Sequence, residues 1–271
     1  MSALVDDLRL LVRYYLIAVR GQMQYRASFF MSLAASVIVT GVEFLALWAL
    51  FDRFGPLENW SLAQAAILYG LVSACFSVSD LLAGGLERFG SDYVRTGDYD
   101  RLLLRPRPTL IQLMGHDFQL RRLGRFLQGA VVFLWGLVAL GDPLGLSGVA
   151  VLLVAFCGGI AVFLGLQFAH AALGFWTVES LEIGNILTYG GVQTAQYPMP
   201  IYHRVLRRFF TYIVPLACVS YFPVVAALGL EDPLGTSRAF QMLSPLAGFA
   251  FLLATLGLWR FGERNYASTG S

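Results

Sequence analysis

Six separate stretches of the sequence are apolar over about the length of a membrane-spanning helix, and this pattern limits the possible folds more than any other feature. Crossing the hydrocarbon core of a bilayer takes about 20 mostly apolar helical residues. The six stretches are residues 29–51, 62–85, 124–140, 147–170, 210–229 and 244–261. With 57% hydrophobic and only 13% charged residues, the chain has too few charges to cover such a core in water. We therefore predict an all-α, polytopic membrane protein in which residues 1–271 form one domain with six transmembrane helices.

Local signals mark the starts of two of these helices. Ser61 followed by Gln64 matches a capping box, in which each side chain bonds a free backbone group of the first helical turn. This pair predicts the start of the second span. Ser244 followed by Pro245 is a favourable N-cap and first-turn pair, and it predicts the start of the sixth span.

The segment before the first span, residues 1–28, is predicted to contain an amphipathic helix. Asp6, Arg9 and Arg13 fall on one side of a helical projection, whereas Leu8 and Leu11 fall on another. A helix with this pattern lies in the interface between the lipid headgroups and the hydrocarbon core. We therefore predict an N-terminal interfacial helix that leads into the first span.

The basic residues set the orientation of the spans. All 19 basic residues are arginines, and the chain contains no lysine. With six spans, both termini lie on the same side as the connections 86–123 and 171–209, and only Arg53 and Arg238 lie on the opposite side. Because basic residues are enriched on the cytoplasmic side of membrane proteins, both termini and both connections are predicted to be cytoplasmic.

The same composition argues against several kinds of site. A P-loop requires a lysine that holds the nucleotide phosphate, so this chain does not supply a P-loop ATPase site. Cys75, Cys157 and Cys218 are far apart in sequence, and no histidine has a cysteine at metal-ligand spacing. We predict no catalytic residue, no metal site and no cofactor on this chain, and no nucleic-acid partner.

Residues 95–108, RTGDYDRLLLRPRP, form a charged segment that the rest of the chain does not repeat. Asp98 and Asp100 precede a short predicted helix in which Arg101 and Arg105, four residues apart, share one face. Pro106 is expected to end this helix.

A second helix is predicted directly after that corner, because Thr109 and Gln112 match a capping box. Two helices joined by a proline-containing corner make a rigid element that can dock another protein. The alternative is a loop whose arginines bind anionic lipid headgroups. The interleaved acids and the ordered helix signals favour a protein partner.

Two motifs resemble one family of membrane proteins. The stretch GDYDRLLLRP after the second span is similar to a motif of ABC-2 type transporter permeases, in the six-span bacterial branch that works with a separate ATPase. Residues 196–229, QYPMPIYHRVLRRFFTYIVPLACVSYFPVVAALG, resemble the same branch around its fifth span. The matching positions there are Tyr197, Pro198, Ile201, Tyr202, Pro215, Tyr221 and Pro223. Together with the helix pattern, the resemblance covers nearly the whole chain.

The resemblance implies a permease subunit of an ATP-binding cassette transporter, usually an exporter, embedded in the bacterial cytoplasmic (inner) membrane. It implies an ATPase partner that binds ATP and Mg²⁺, and a second permease subunit that is either a copy of this chain or a paralogue. In the family the first cytoplasmic connection contacts the ATPase, and this role is carried onto Gly97, Asp98, Asp100, Arg101, Arg105 and Pro106. In the second cytoplasmic connection the corresponding residues are Tyr197, Pro198 and Tyr202.

Ionisable residues and prolines inside the spans are further candidates. Glu43 lies deep in the first span without an arginine nearby in sequence, so it either lines the transport path or is a hydrogen-bonded acid within the bundle. Asp80, nearer the end of the second span, is expected to reach the membrane surface. Pro215 and Pro223 are expected to bend the fifth span, as fixed kinks or as hinges. For residues 230–243 the resemblance implies short re-entrant helices.

A second interpretation is a polytopic membrane enzyme that acts on lipid, with Asp98, Asp100, Arg101 and His116 as acid–base groups at the headgroup level. Against it, the sequence contains neither a His-Glu-x-x-His nor a Gly-x-Ser-x-Gly motif. A non-catalytic scaffold is a third interpretation. The cargo of a transporter is not specified by the sequence, although the lack of a charged pore favours an amphiphilic molecule.

Overall fold

The computed structural model describes residues 2–141, 143–177 and 181–267, without the side chains of residues 2–4 and 181–183. Within these residues the regular elements are all helical. The helices are α1 Ser2–Gln24, α2 Arg26–Phe54, α3 Leu62–Ala83, α4 Tyr99–Leu103, α5 Thr109–His116, α6 Leu123–Leu140, α7 Leu146–Leu173, α8 Leu181–Ala195, α9 Arg204–Arg208, α10 Leu216–Val219, α11 Tyr221–Leu228, α12 Arg238–Leu243 and α13 Leu246–Arg264. Five of the described helices are long and apolar enough to cross a membrane, or six if one bent pair counts as a span. The predicted all-α membrane fold is therefore confirmed.

The central helix of the bundle is α3, which packs against α6 and α7, while α7 also packs against α13. In its most apolar window 78% of the residues are buried, compared with 11% in α2. Close approach of α3 and α6 depends on small residues, because a Cβ atom added at Gly70 would lie 2.6 Å from the carbonyl oxygen of Gly129. Small residues at helix crossings allow the backbone contact that stabilises membrane bundles. The outward faces of α2 and α6 are left for lipid or for another subunit.

The start of α3 agrees with the capping box predicted from the sequence. The Ser61 hydroxyl accepts a hydrogen bond from the backbone N–H of Gln64 at 3.3 Å, and Oε1 of Gln64 accepts one from the N–H of Ser61 at 2.9 Å. Both partners lie within one turn, so the pattern is fixed locally.

The N-terminal helix α1 lies against the connection between α3 and α6. The hydroxyl of Tyr15 donates to the carbonyl oxygen of Leu82 at 2.8 Å, and the side chain of Gln22 accepts from the N–H of Leu120 at 2.9 Å. Several apolar side chains of α1 point away from the protein, among them Leu8, Val12, Leu16 and Ile17. This amphipathic arrangement suits an interfacial helix.

The predicted fifth span, 210–229, is not one straight helix. A π-helical turn, Phe209–Ile213, continues α9 and ends at Val214, and α10 begins after Pro215. The helices before and after this break differ in direction by 71°. Pro215 therefore lies at a bend, as expected. Pro223 is the third residue of α11, which begins after a second interruption of the helix at Ser220. A proline disrupts a helix at the fourth residue before it, which here is Val219, the last residue of α10.

The segment 171–209 extends into the bundle. Helix α8 starts near the end of α7, where Gly184 meets the ring of His170, and it runs along the bundle to the middle of α3. There the amide of Gln196 donates to the hydroxyl of Ser73 at 3.0 Å. One face of α8 is thus packed against the long helices, whereas most residues from 201 to 208 are exposed.

The start of α13 differs from the predicted N-cap. Pro245 occupies the N-cap position, and the hydroxyl of Ser244 donates to the carbonyl oxygens of Cys218 and Gln241 instead. The preceding segment, 230–243, contains one short helix, α12, whose N-cap is Ser237. A contact with α10 has replaced the local cap at Ser244.

Candidate functional site

The charged segment 95–108 lies at one end of the bundle, where α3, α7 and α13 terminate; we call this the arginine-rich end. Gly97 has a φ of +76°, a left-handed conformation that favours glycine, and it turns the chain from the π-helical turn Gly90–Val94 into α4. Asp98 follows, and its carboxylate pairs with Arg101 at 2.8 Å. Both partners are exposed, so the pair orients Arg101 and adds little stability.

The outer surface of this segment combines apolar and basic side chains. Helix α4 ends at Leu103, earlier than predicted, so Arg105 lies after the helix and not on its face. Leu104 is 85% exposed, and Leu103, Arg105 and Pro106 are exposed beside it. We call residues 103–106 the coupling ridge. An exposed apolar residue flanked by arginines is a common feature of protein-binding surfaces.

Tyr99 attaches this segment to the rest of the protein. Its side chain is fully buried, and its hydroxyl donates to Oε1 of Glu263, in the last turn of α13, at 2.9 Å. Its ring contacts Phe89, Phe175 and Tyr266 at centroid distances of 5.2, 5.4 and 4.9 Å. Tyr99 was not among the residues predicted from the sequence, although its position as an aromatic residue between two aspartates of a charged segment was a signal for it.

The turn after the coupling ridge is held by Gln112. Its amide donates to the carbonyl oxygens of Leu102 at 3.2 Å and Arg107 at 2.9 Å. The predicted capping box of Thr109 and Gln112 is therefore wrong: Thr109 is already the first residue of α5, and its hydroxyl donates to Glu263. The side chains of Thr109 and Gln112 bond to Glu263 and to the carbonyl groups of Leu102 and Arg107 instead of capping α5. These bonds hold the proline-containing corner in place.

A polar cavity of about 1100 Å³ opens beside the segment, between α2, α3 and the start of α6. On the side of segment 95–108 the cavity is lined by Asp98, Arg101 and Arg105. Its deeper part is lined by Asp80 and Arg122. Asp80 does not reach the surface as expected, because it forms an ion pair with Arg122, which also contacts Glu87 at 3.5 Å. Burying Arg122 is possible because two carboxylates surround it.

Glu43 also has a charged partner that its sequence neighbours did not reveal. Arg125, at the start of α6, lies 3.1 Å from Oε1 of Glu43, and its guanidinium group lies 5.3 Å from the ring centre of Phe76. Arg125 lines the cavity as well. An ion pair thus stands at the inner end of the cavity, and both partners are partly exposed.

The structure does not bring the second group of predicted residues to the coupling ridge. Tyr197 packs on an apolar cluster of α2, α3 and α6 that includes Leu47 and Ala66. Tyr202 packs on the neighbouring cluster around Trp60, and Pro198 precedes a short 3-10 turn. These residues support the interior of the bundle.

Among the residues that the structure describes, no group of three or more histidine, cysteine, aspartate or glutamate side chains is arranged to hold a metal ion. His116 lines the cavity, and its ring contacts Tyr93 at a centroid distance of 5.8 Å. The side chains described at this end of the bundle form ion pairs, hydrogen bonds and an exposed apolar surface.

Comparison with known proteins identifies the family. A family model described as ABC-2 family transporter protein matches residues 37–270. No curated protein and no solved structure matches the chain. The chain therefore belongs to the ABC-2 transporter family, and it is a multi-pass membrane component of such a transporter, as the two sequence motifs had suggested.

Proposed function

We propose that this ABC-2 family chain is a permease subunit, an exporter, that is driven by ATP hydrolysis on a separate nucleotide-binding subunit seated on residues 95–108. In this arrangement the partner subunit binds ATP and Mg²⁺, and the permease contributes the contact surface and the moving helices. The residues proposed for the contact are Gly97, Asp98, Asp100, Arg101, Arg105 and Pro106.

The observation that carries this proposal is the combination of an exposed ridge with a buried anchor. Leu104 and its basic neighbours are exposed, while Tyr99, five residues earlier, is buried and bonded to Glu263. A subunit that pushes on the ridge therefore also pushes on the end of α13. Gln112 prevents the turn from absorbing the displacement, because it is bonded to carbonyl groups before and after the corner.

The remaining features of the proposal concern membrane placement and assembly. Both termini and the connection 86–123 face the cytoplasm of a bacterial cell, in agreement with the enrichment of arginine at one end. Residues 171–209 form the second cytoplasmic segment, in which α8 packs one face on the bundle while α9, with its three arginines, is exposed. A second permease, identical or related, packs against exposed apolar faces such as those of α2 and α6, which carry Ile38, Val131 and Val138.

Glu43 and Pro215 have roles in transport in this proposal. Glu43, with Arg125, lies along the transport path, since the pair borders a cavity that starts at the coupling segment. Pro215 is the hinge of the bent pair of helices, because the 71° change in direction occurs there. Pro223 is a second hinge in this proposal, because the helix is interrupted at Ser220, three residues before it.

The alternative, an enzyme that acts on lipid, gains no support from the geometry. Asp98 is paired with Arg101 on the surface, and His116 contacts an aromatic ring. Neither group is placed to transfer a proton to a buried substrate.

Co-purification tests the permease proposal directly. The tagged chain is expressed together with the ATP-binding cassette ATPase from the same gene cluster, and the amount of ATPase retained is measured. We expect Arg101→Glu to reduce the amount of ATPase retained, because it reverses a charge on the contact surface. Arg238→Glu, on the far side of the bundle, should leave that amount unchanged. An ATPase that never associates, or an Arg101→Glu variant with unchanged retention and transport, contradicts the proposal.

A further inference from the structure

Four polar side chains meet in the interior of the bundle, beyond the Glu43–Arg125 ion pair. Tyr69 and Ser73 belong to the middle of α3, Gln128 to α6, and Gln196 follows α8. All four are buried. The Tyr69 hydroxyl donates to the carbonyl oxygen of Thr40 at 3.2 Å, and the Gln196 amide donates to Ser73 at 3.0 Å. The proposed transport function does not yet explain why polar groups converge at the centre of an apolar bundle.

Gln128 is the member of this group whose hydrogen-bonding capacity is largely unused. Its side chain is only 8% exposed, and neither its oxygen nor its nitrogen makes a hydrogen bond of normal geometry with the described residues. The hydroxyl of Tyr69 is near enough for a weak contact with the Gln128 amide, but the Tyr69 proton is donated to Thr40, so the oxygen of Gln128 receives no donor from it. A buried amide without hydrogen-bond partners is unfavourable in an apolar environment. The cost is larger inside a bilayer, whose core contains no water to supply those partners. Such a group is retained where a bound molecule supplies the missing partners.

The Glu43–Arg125 ion pair separates these residues from the cavity. Arg125 lies one helical turn before Gln128 on α6, and Glu43 lies one turn after Thr40 on α2. Both Arg125 and Thr40 line the cavity, whereas the four buried polar residues are not among its lining residues. Breaking one contact of 3.1 Å would therefore open a route from the cavity to Gln128.

We infer that Tyr69, Ser73, Gln128 and Gln196 form a binding compartment for an uncharged hydrogen-bonding group of the cargo, such as an amide or a hydroxyl, and that the Glu43–Arg125 ion pair closes this compartment toward the cavity. The inference rests on the proposed transport function. Gln128 offers one donor group and one acceptor, which matches an amide. The charges that act on Tyr69 are Glu43 and Arg125, which have opposite signs and are bound to each other. An ionic group would find no net opposite charge there, so a neutral group is favoured.

The test measures access to the compartment with small thiol reagents and needs neither the cargo nor an ATPase. Cys75, Cys157 and Cys218 are first replaced by alanine. Gln128→Cys and Ser73→Cys then report on the compartment. Val132→Cys is the matched control, since Val132 lies one turn further along α6, is 6% exposed and belongs to an apolar cluster. The probes are methanethiosulfonates with a neutral hydroxyethyl, a cationic trimethylammonium or an anionic sulfonate group.

We expect the hydroxyethyl reagent to modify positions 128 and 73 roughly tenfold faster than position 132, and faster than either charged reagent modifies them. Adding Glu43→Gln weakens the ion pair, so it should raise the rate at positions 128 and 73 by roughly another tenfold and leave position 132 unchanged. Elution of each variant as a single species in size-exclusion chromatography shows that it is folded.

Equal modification rates at positions 128, 73 and 132 would contradict the existence of the compartment. A rate that Glu43→Gln leaves unchanged would contradict its closure by the ion pair. Faster modification by a charged reagent would overturn the assignment to a neutral group. Because no ATPase is present, each of these results leaves the permease proposal standing. Failure of the ATPase to co-purify would, in turn, leave these rates unaffected.

Discussion

The hydroxyl of Tyr99 donates a 2.9 Å hydrogen bond to Oε1 of Glu263, and this contact joins the charged segment to the last turn of α13. The two residues are 164 positions apart in sequence. Three aromatic rings, those of Phe89, Phe175 and Tyr266, pack on the ring of Tyr99 and make the junction stiff. A displacement at the surface of the segment is therefore transmitted to a long helix, and not only to its neighbours in sequence.

Tyr99→Phe tests this junction, because it removes the hydroxyl and keeps the ring. We expect a loss of about 1.5–3 kcal/mol in the free energy of unfolding, the usual range for a hydrogen bond to a charged group. Thermal unfolding of the purified protein in detergent measures it. Tyr93→Phe is the control, since the hydroxyl of Tyr93 forms no hydrogen bond among the described contacts. This variant should change the free energy of unfolding by no more than about 0.5 kcal/mol. Similar shifts for both variants would contradict the role of the Tyr99 hydroxyl.

Arg122→Ala should be strongly destabilising, by about 3–5 kcal/mol, because it leaves Asp80 and Glu87 without their buried partner. Arg101→Ala is the control: it breaks an exposed pair with Asp98 and should cost at most about 1 kcal/mol. Thermal unfolding again provides the measurement. Combining Arg122→Met with Asp80→Leu should recover part of the loss. If Arg122→Ala and Arg101→Ala behave alike, the buried ion pair is not important for stability.

Leu104→Asp should weaken binding of the ATPase roughly tenfold or more, as expected for an exposed apolar residue at the centre of an interface. The matched control is Leu146→Asp, because Leu146 is 88% exposed but lies at the start of α7, at the other end of the bundle. Co-purification at a fixed ATPase concentration measures the difference. Equal loss for both variants would indicate a general defect in folding or insertion.

The lowered pKa of Asp232 predicts that the stability of the protein depends on pH. Burial alone would raise the pKa of this carboxyl, but hydrogen bonds from Thr236, the backbone N–H of Leu234 and Tyr221 outweigh it and lower the pKa below its usual value. A pKa lowered by folding means that the ionised form stabilises the protein above the unfolded-state pKa of about 3.9. This contribution is lost as the pH falls below that value and through the lowered pKa.

The comparison of the protein with Asp232→Asn isolates this effect. At neutral pH the variant should unfold at a lower temperature, and the difference should shrink as the pH falls below about 4. Thermal unfolding between about pH 3 and pH 7 measures it. A difference that stays constant over this range would contradict the role of the ionised carboxylate.

How far the sequence predicted the structure depended on the distance between interacting residues. Ser61 and Gln64 are three positions apart, so their capping box was correctly predicted. Glu43 and Arg125 are 82 positions apart, and no local pattern links them. Thr109 and Gln112 had the spacing of a cap, but the partly buried carboxylate of Glu263 and two free carbonyl groups offered better partners.

The prolines illustrate the same limit. Pro215 and Pro223 had equal reasons to bend a helix, but the two interruptions differ: Pro215 lies at the 71° bend itself, whereas Pro223 follows a break at Ser220 and lies in the first turn of α11. The positions of such breaks are set by packing of the whole bundle, which the sequence of the segment alone does not specify.

The exposure of Leu104 should affect how long the protein persists in the cell. With residues 95–108 outside the bilayer, as proposed, a subunit that has not yet met its ATPase displays an apolar side chain on a fixed corner in water. Because membrane proteases and chaperones recognise surfaces of this kind, we expect an unassembled subunit to be removed and an assembled one to survive. The cellular amount of this chain should thus be set by the supply of its ATPase.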